Sequence, residues 1–281
     1  MDIGIAASKL KELFSSDGFI RIITHIDADG ISSGAIIAKT LRQHNQVFWL
    51  STLKLLEDDD LDELEEDIKS QSKSSQPCKA LMFLDLGSSK INKIAKLAKF
   101  LDIRIFVIDH HHIEDGFNEG NNIHENLFFI HSNELSGAGL CYNFVKALNA
   151  SKDLAQLAVV GMIGDILDRN ISKSNSFILN EAQESGMQSK KSLTIFSAMR
   201  PLHKALELSS EIFIPGVTGS ARGALKLLRG AGIETKKDKK SWRTLLDLSE
   251  GEMSRLITAI LLRQVNSSSN NCHENGIINN I

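Results

Sequence analysis

Asp109, His110, His111 and His112 follow the run Arg104-Ile105-Phe106-Val107-Ile108, so one carboxylate and three imidazoles arrive together at the end of an apolar segment. Three further segments end alike: Phe19 to Ile23 runs into Thr24-His25-Ile26-Asp27-Ala28-Asp29-Gly30, Ala80 to Leu84 into Asp85, and Leu157 to Ile163 into Gly164-Asp165. One Asp after a strand is often only a helix N-cap. Four such carboxylates, two of them beside His, point instead to a metal or catalytic site. Carboxylates and neutral imidazoles without a thiolate suit Mn²⁺ or Mg²⁺, and the His donors favour Mn²⁺. Two such ions sit about 3.5 to 4 Å apart and need a carboxylate that spans both; the pair activates water and neutralises charge during in-line displacement at phosphorus. Asp27 and Asp29 can reach one ion each, and Asp85 is placed to bridge. His110 and Asp165 complete one ion, while His25 joins Asp27 on the other.

The elements that must hold these residues read as alternating strands and helices. Arg104 to Ile108 is β-branched and aromatic, the pattern of a strand buried on both faces of a parallel sheet. Ligands in an open α/β sheet bind beyond the carboxyl ends of its strands. The spacing predicts a short amphipathic helix over Ile3 to Phe14, a helix over Ile31 to Gln43, a strand over Val47 to Leu50 and a helix over Ser88 to Phe100. Ser32, Ser33 and Gly34 open the second of these helices as small residues that would let backbone approach an anion. Leu127 to Ile130 is a further strand. Gly137-Ala138-Gly139-Leu140 opens a helix with Ser136 as N-cap, a start that could hold a phosphate or merely pack closely. Asp153 to Ile166 is helical by periodicity. From Ser174 onward the pattern is helical throughout, broken at Pro201 and Pro215-Gly216, with Ala221 to Leu228 and Gly251 to Leu262 its clearest helices.

The net charge of −3 over 281 residues conceals a division. Residues 1–189 hold 18 Lys/Arg against 27 Asp/Glu, whereas residues 190–265 hold 14 against 7. The reading is an acidic domain over 1–189, a basic helical extension over 190–265 and a Ser/Asn-rich disordered tail over 266–281. The basic segment suits phosphate contact or a solvated surface equally, with Trp242 its one interleaved aromatic. Glu57 to Asp67 carries nine acids in eleven residues and reads as an exposed helix or loop at the edge of the fold, or as a docking surface for a basic partner. Lys69 to Gln76 reads as a connector. No long apolar run and no basic-then-apolar N-terminus is present, which argues against a membrane span or secretory signal and for a cytoplasmic protein. Cys78, Cys141 and Cys272 lack metal-ligand spacing and fit a reducing compartment.

The motifs His25-x-Asp27-x-Asp29-Gly30, Asp85, Asp109-His110-His111 and Gly164-Asp165 resemble, in order and spacing, those of the DHH phosphoesterase superfamily. Within it they are most similar to the archaeal RecJ-like exonucleases, the GINS-associated nucleases included, and Ile214-Pro215-Gly216-Val217-Thr218-Gly219 looks like the part that follows the DHH domain there. The resemblance covers roughly residues 18–170. It implies a parallel-sheet α/β domain and a Mn²⁺-dependent phosphodiesterase acting on single-stranded DNA or RNA, with Asp27, Asp29, Asp85, His110 and Asp165 as ligands. His111, with Asp109, would serve catalysis at the metal or the scissile phosphate. The pyrophosphatase branch has three residues where this chain has one between His25 and Asp27, which leaves His25 open between a ligand and a substrate contact. The family's glycine-rich C-terminal substrate domain has no counterpart here, so a replication-complex partner that supplies or replaces it, a non-catalytic scaffold and a small-molecule phosphoesterase are the alternatives. Asp168 reads as a further ligand or a surface acid beside Arg169. His112, His124, His131 and His203 read as ordinary loop, surface or core residues.

Overall fold

The computed structural model describes residues 2–72, 74–117, 124–167, 171–188, 199–210 and 212–274, with side chains to 265. The chain divides into two compact units, Met1–Ser189 and Lys190–Ile281. Asp168 lies outside the described residues.

In the first unit, α1 (Ile3–Glu12) starts at Asp2, whose side chain accepts from the Ile5 N–H, and leads to β1 (Phe19–His25). Then follow α2 (Ala28–Gln43), β2 (Val47–Leu53), α3 (Asp58–Gln71), β3 (Cys78–Leu84), α4 (Ile91–Leu101), β4 (Arg104–Asp109), β5 (Leu127–His131), α5 (Gly137–Lys146), α6 (Ala155–Gly164) and α7 (Lys173–Glu184). The five strands form one sheet in the order β2-β1-β3-β4-β5, every pair parallel. Alternation along the strands divides the core. Ile20, Ile22, Met82, Leu84, Phe106 and Ile108 pack with α1, α2, α5, α6 and α7, whereas Leu81, Phe83, Ile105, Val107 and Phe129 pack with α3 and α4. Both faces are therefore covered, as an all-parallel sheet requires. The chain leaves β1 toward β2 on one side and returns to β3 on the other, so the crevice between the ends of β1 and β3 is the topological switch point.

The acidic stretch is a helix, and it reaches Gln71, so the expected connector begins later. Leu61, Leu64 and Ile68 are its buried face. Burying three such side chains contributes roughly 5 to 8 kcal/mol before entropy. Asp58, Asp59 and Asp60 lie in the first turn, where the helix dipole favours them. Lys90 and Lys93 reach Asp58 and Asp62 at 2.8 and 2.6 Å.

The second unit holds α8 (Leu202–Glu207), α9 (Ala221–Gly230) and α10 (Glu250–Glu274) around Leu206, Val217, Leu227, Leu228, Leu245 and Leu256. Pro201 caps α8, and Gly216 and Gly219 take positive φ in the turn before α9. Two expectations need correction. The segment is not helical throughout, because Lys236 and Trp242 form an antiparallel bridge. The expected disordered tail is helical as far as Glu274, since α10 runs straight across the 265/266 boundary. No described helix is long and apolar enough to cross a membrane.

Candidate metal centre

Seven of the eight expected side chains meet at the switch point. Three overlapping groups have donor atoms within 4.8 Å of one another: His25, Asp27 and Asp85; Asp85, His110 and His111; and Asp29, His110 and Asp165. Thr24 begins the arrangement by donating its hydroxyl to the Gly30 carbonyl at 2.5 Å, which folds residues 25–30 into a tight loop at the end of β1. A Cβ at Gly30 would overlap the His25 carbonyl, so only glycine closes it.

Asp27 has two duties there. It caps α2 by accepting from the Gly30 N–H at 2.9 Å, and its other oxygen faces His25 Nδ1 at 2.8 Å. Burial raises its carboxyl, but the Gly30 N–H and His25 outweigh that and hold it below the usual range. His25 Nε2 lies 3.0 Å from the Lys54 carbonyl and so donates there, which leaves Nδ1 as the ring atom that faces Asp27. Two lone pairs facing each other repel unless a proton or cation lies between them.

Asp29 is clamped from behind. Its oxygens accept from the Gly137 and Ala138 N–H groups at 2.6 and 2.9 Å, at the start of α5. The glycine-rich helix start therefore holds this chain's own carboxylate in place of a phosphate. Ser136 caps the helix as expected, accepting from the Gly139 N–H. Ser32 and Ser33 are buried and Gly34 packs on Thr24 and Leu50, so the start of α2 serves packing and not an anion.

Asp85 is the least comfortable group. It is 1% exposed, neither carboxylate oxygen has a hydrogen-bond partner, and its backbone is left-handed at φ 58°. Burial and the neighbouring Asp29 push it up to about 10. Asp165 follows the same logic, raised to about 6 by burial and Asp29. His110 Nε2 points between them, 3.2 Å from Asp85 and 3.1 Å from Asp165, without a hydrogen bond. Asp165 reaches this position as the C-cap of α6 and not from a strand end. Buried polar atoms left unpartnered cost about 1 to 3 kcal/mol each. Here they converge on shared points, and a divalent cation satisfies them all; these acidic and imidazole groups could hold metal.

Asp109 stands apart. Its carboxylate accepts from Ser88 N–H at 2.8 Å, from His110 N–H at 2.8 Å and from His111 Nδ1 at 2.8 Å, and no oxygen faces the shared points. Burial opposes its ionisation, yet the bonds from His111 and Ser88 prevail and hold the carboxyl far below its ordinary range. It holds the His111 ring directly and His110 only through its backbone N–H. The same bond raises His111, whose ring is half exposed. His131, read as ordinary, donates to the His111 carbonyl at 2.7 Å and so fixes the loop. No sequence signal marked that contact. His112 is exposed beside Asp115, as a loop residue should be. Cys78 and Cys141 are buried thiols, pushed up by burial to about 11 and well above the usual value, and neither belongs to any of the three donor groups.

The N-terminal domain of the DHH family matches residues 19–162, just over half of the chain. The chain belongs to the DHH family. A DHH-CID domain matches residues 197–278 of this DHH protein. An uncharacterized protein of Methanocaldococcus jannaschii is 30% identical over 260 residues, 90% of this chain and 55% of the relative, so the chain spans about half the length of the curated relative it matches. Among solved structures, CDC45 from Entamoeba histolytica matches 95% of this chain and 57% of its own at TM-score 0.60 and 16% identity. Exonuclease RecJ bound to manganese matches 95% and 67% at TM-score 0.50 and 17% identity. The DHH domain of a member of a ribosomal-protein family matches 66% and 48% at TM-score 0.53 and 17% identity. At these identities the likeness is one of fold.

The raised carboxyls give the metal-free DHH domain a pH signature. A carboxyl whose folded pKa lies above its unfolded value keeps its proton in the folded state, so stability is greatest below about pH 4 as far as this term goes and falls as pH rises toward about 10. Asp165 adds the same sign over the lower part of that window. Thermal melts in chelator should show Tm declining between about pH 5 and 9, and Asp85→Asn should flatten the decline. A Tm that rises over that window contradicts the reading of Asp85 as a buried, unpartnered acid.

Proposed function

We propose that this DHH-family chain is a metal-dependent phosphodiesterase of the RecJ type that hydrolyses single-stranded nucleic acid or short oligonucleotides, with two Mn²⁺ as the working ions and Mg²⁺ as a substitute. The observation that carries the reading is Asp85, a buried carboxylate shared between the group of His25 and Asp27 and the group of His110 and His111. His25, Asp27 and Asp85 would hold one ion; Asp29, Asp85, His110 and Asp165 would hold the other. When bound, the pair supplies an activated water and neutralises the phosphate's developing charge. The chain's own part is to fix the donors: Lys54 sets the His25 tautomer, α5 orients Asp29, and Asp109 aims His111. His111 then offers a donor to a non-bridging phosphate oxygen.

Accordingly, His111→Ala should lower turnover about 10²- to 10³-fold, the usual effect of losing one transition-state donor, with a smaller loss of metal occupancy. Equal losses in both would make His111 an ordinary ligand. The substrate class is tested by a Mn²⁺ titration with a 5′-labelled single strand, a dinucleotide and pyrophosphate in parallel. Mononucleotide release from the strand supports the proposal. Turnover of the small substrates alone replaces it with a small-molecule phosphoesterase, and no turnover at all leaves a scaffold.

A further inference from the structure

The second unit carries a hairpin that the metal centre does not use. The Lys236–Trp242 bridge is extended by hydrogen bonds from Arg243 N–H to the Thr235 carbonyl and from Lys237 N–H to the Ser241 carbonyl, each 3.0 Å. Asp238 locks the turn, accepting from the Lys240 and Ser241 N–H groups at 2.7 and 2.8 Å and from the Ser241 hydroxyl. Two of the basic residues are neutralised, Lys237 by Asp247 at 3.0 Å and Arg243 by Glu252 at 2.7 Å. Lys236, Lys239 and Lys240 are exposed and have no carboxylate partner among the described residues. Trp242 remains 42% exposed although its ring packs against His203 at 4.5 Å, and the Lys236 ammonium lies 5.1 Å from the indole centre. Lys236 also lines an open cavity of about 590 Å³ with Arg229, Thr235 and one acid, Glu234.

A rigid turn that holds three unneutralised ammonium groups beside an exposed indole presents both halves of what a nucleotide needs: charge for the phosphate and an aromatic face for the base. Single-strand sites combine these two features, because every base has a π-face and every linkage a charge. We propose that this hairpin and the cavity beside it bind single-stranded nucleic acid, with a base stacked on Trp242 and successive phosphates on Lys236, Lys239, Lys240 and Arg229. A run of acidic side chains alone would satisfy the lysines but leave the indole uncovered. The inference rests on the reading of a single-stranded substrate, and it places a binding site for such a strand within the DHH-CID segment.

The test is fluorescence titration of the full chain with a ten-nucleotide oligo(dT) in EDTA, so that binding is read without hydrolysis. A Trp49→Phe background leaves Trp242 as the one tryptophan, since the chain has two. Quenching of Trp242 is expected. Lys236→Gln/Lys239→Gln/Lys240→Gln should weaken binding about tenfold and flatten the log-affinity against log-salt slope by about 2, at roughly 0.7 per phosphate. Removing the charges of three exposed lysines elsewhere, in Lys11→Gln/Lys96→Gln/Lys99→Gln, should change neither. Unaltered Trp242 emission at saturation, an unchanged slope in the triple variant, or a poly-glutamate peptide that binds as tightly as the strand each overturns the proposal. Binding without later hydrolysis in Mn²⁺ would sink the nuclease reading and keep this one; hydrolysis without a Trp242 signal does the reverse.

Discussion

Asp85→Asn abolishes hydrolysis, by about 10³-fold or more, while the metal-free protein melts at a higher temperature than wild type. The first effect follows from sharing: the Asp85 carboxylate faces both the His25–Asp27 and the His110–His111 groups, so an amide there weakens both ions at once. Charge stabilisation by such a pair is worth several kcal/mol, and each 1.36 kcal/mol is tenfold in rate. The second effect follows from burial. Both Asp85 oxygens lack partners, and Asn removes the ionisable group without leaving the left-handed backbone that Asp and Asn both tolerate. Kinetics in Mn²⁺ and melts in EDTA check the two halves separately. A variant that keeps its rate, or one that melts lower in EDTA, removes Asp85 from the role argued for it.

Gly161→Ala has the next largest effect. A Cβ there would overlap Asp29 Oδ1 and lie 2.6 Å from the Ala138 Cβ, in a place where α6 packs against α2 and α5 with no flexible side chain to yield. The helical preference for Ala over Gly offers about 1 kcal/mol, whereas overpacking a buried contact costs about 1 to 3 kcal/mol. Displacing Asp29 from the Gly137 and Ala138 N–H groups adds the loss of two charge-assisted hydrogen bonds, typically about 1.5 to 3 kcal/mol each. The expected result is a clear drop in Tm together with loss of metal affinity. Gly230→Ala, where nothing lies within 4 Å of the added carbon, should be neutral or slightly stabilising. Equal melting of Gly161→Ala and wild type would mean that the packing around Asp29 is looser than described.

The donors were legible in the sequence where local pattern and site coincide. His25, Asp27, Asp85 and His110 follow apolar strands, and period and composition alone place those ends on one edge of a parallel sheet. What escaped was decided by residues far apart in the chain. The Gly137–Gly139 helix start looked open to a phosphate because its tenant, Asp29, lies 108 residues earlier. Asp165 sits at the end of the helix that the periodicity of Asp153 to Ile166 predicts, and only the fold brings that helix end to the strand ends. The acidic stretch folds as the exposed helix that was one of its readings, held by three buried apolar residues and the Lys90 and Lys93 contacts. The Ser/Asn-rich end continues α10, since helix propagation from an ordered stem is cheaper than nucleation in an isolated segment.

The most direct test of the central claim is Mn²⁺ titration followed by electron paramagnetic resonance. Two ions joined through Asp85 predict a stoichiometry of two per chain with an exchange-coupled spectrum, and in Asp85→Asn at most one uncoupled ion at the same free Mn²⁺. A single uncoupled ion in the wild type, or an unchanged coupled pair in Asp85→Asn, would contradict it.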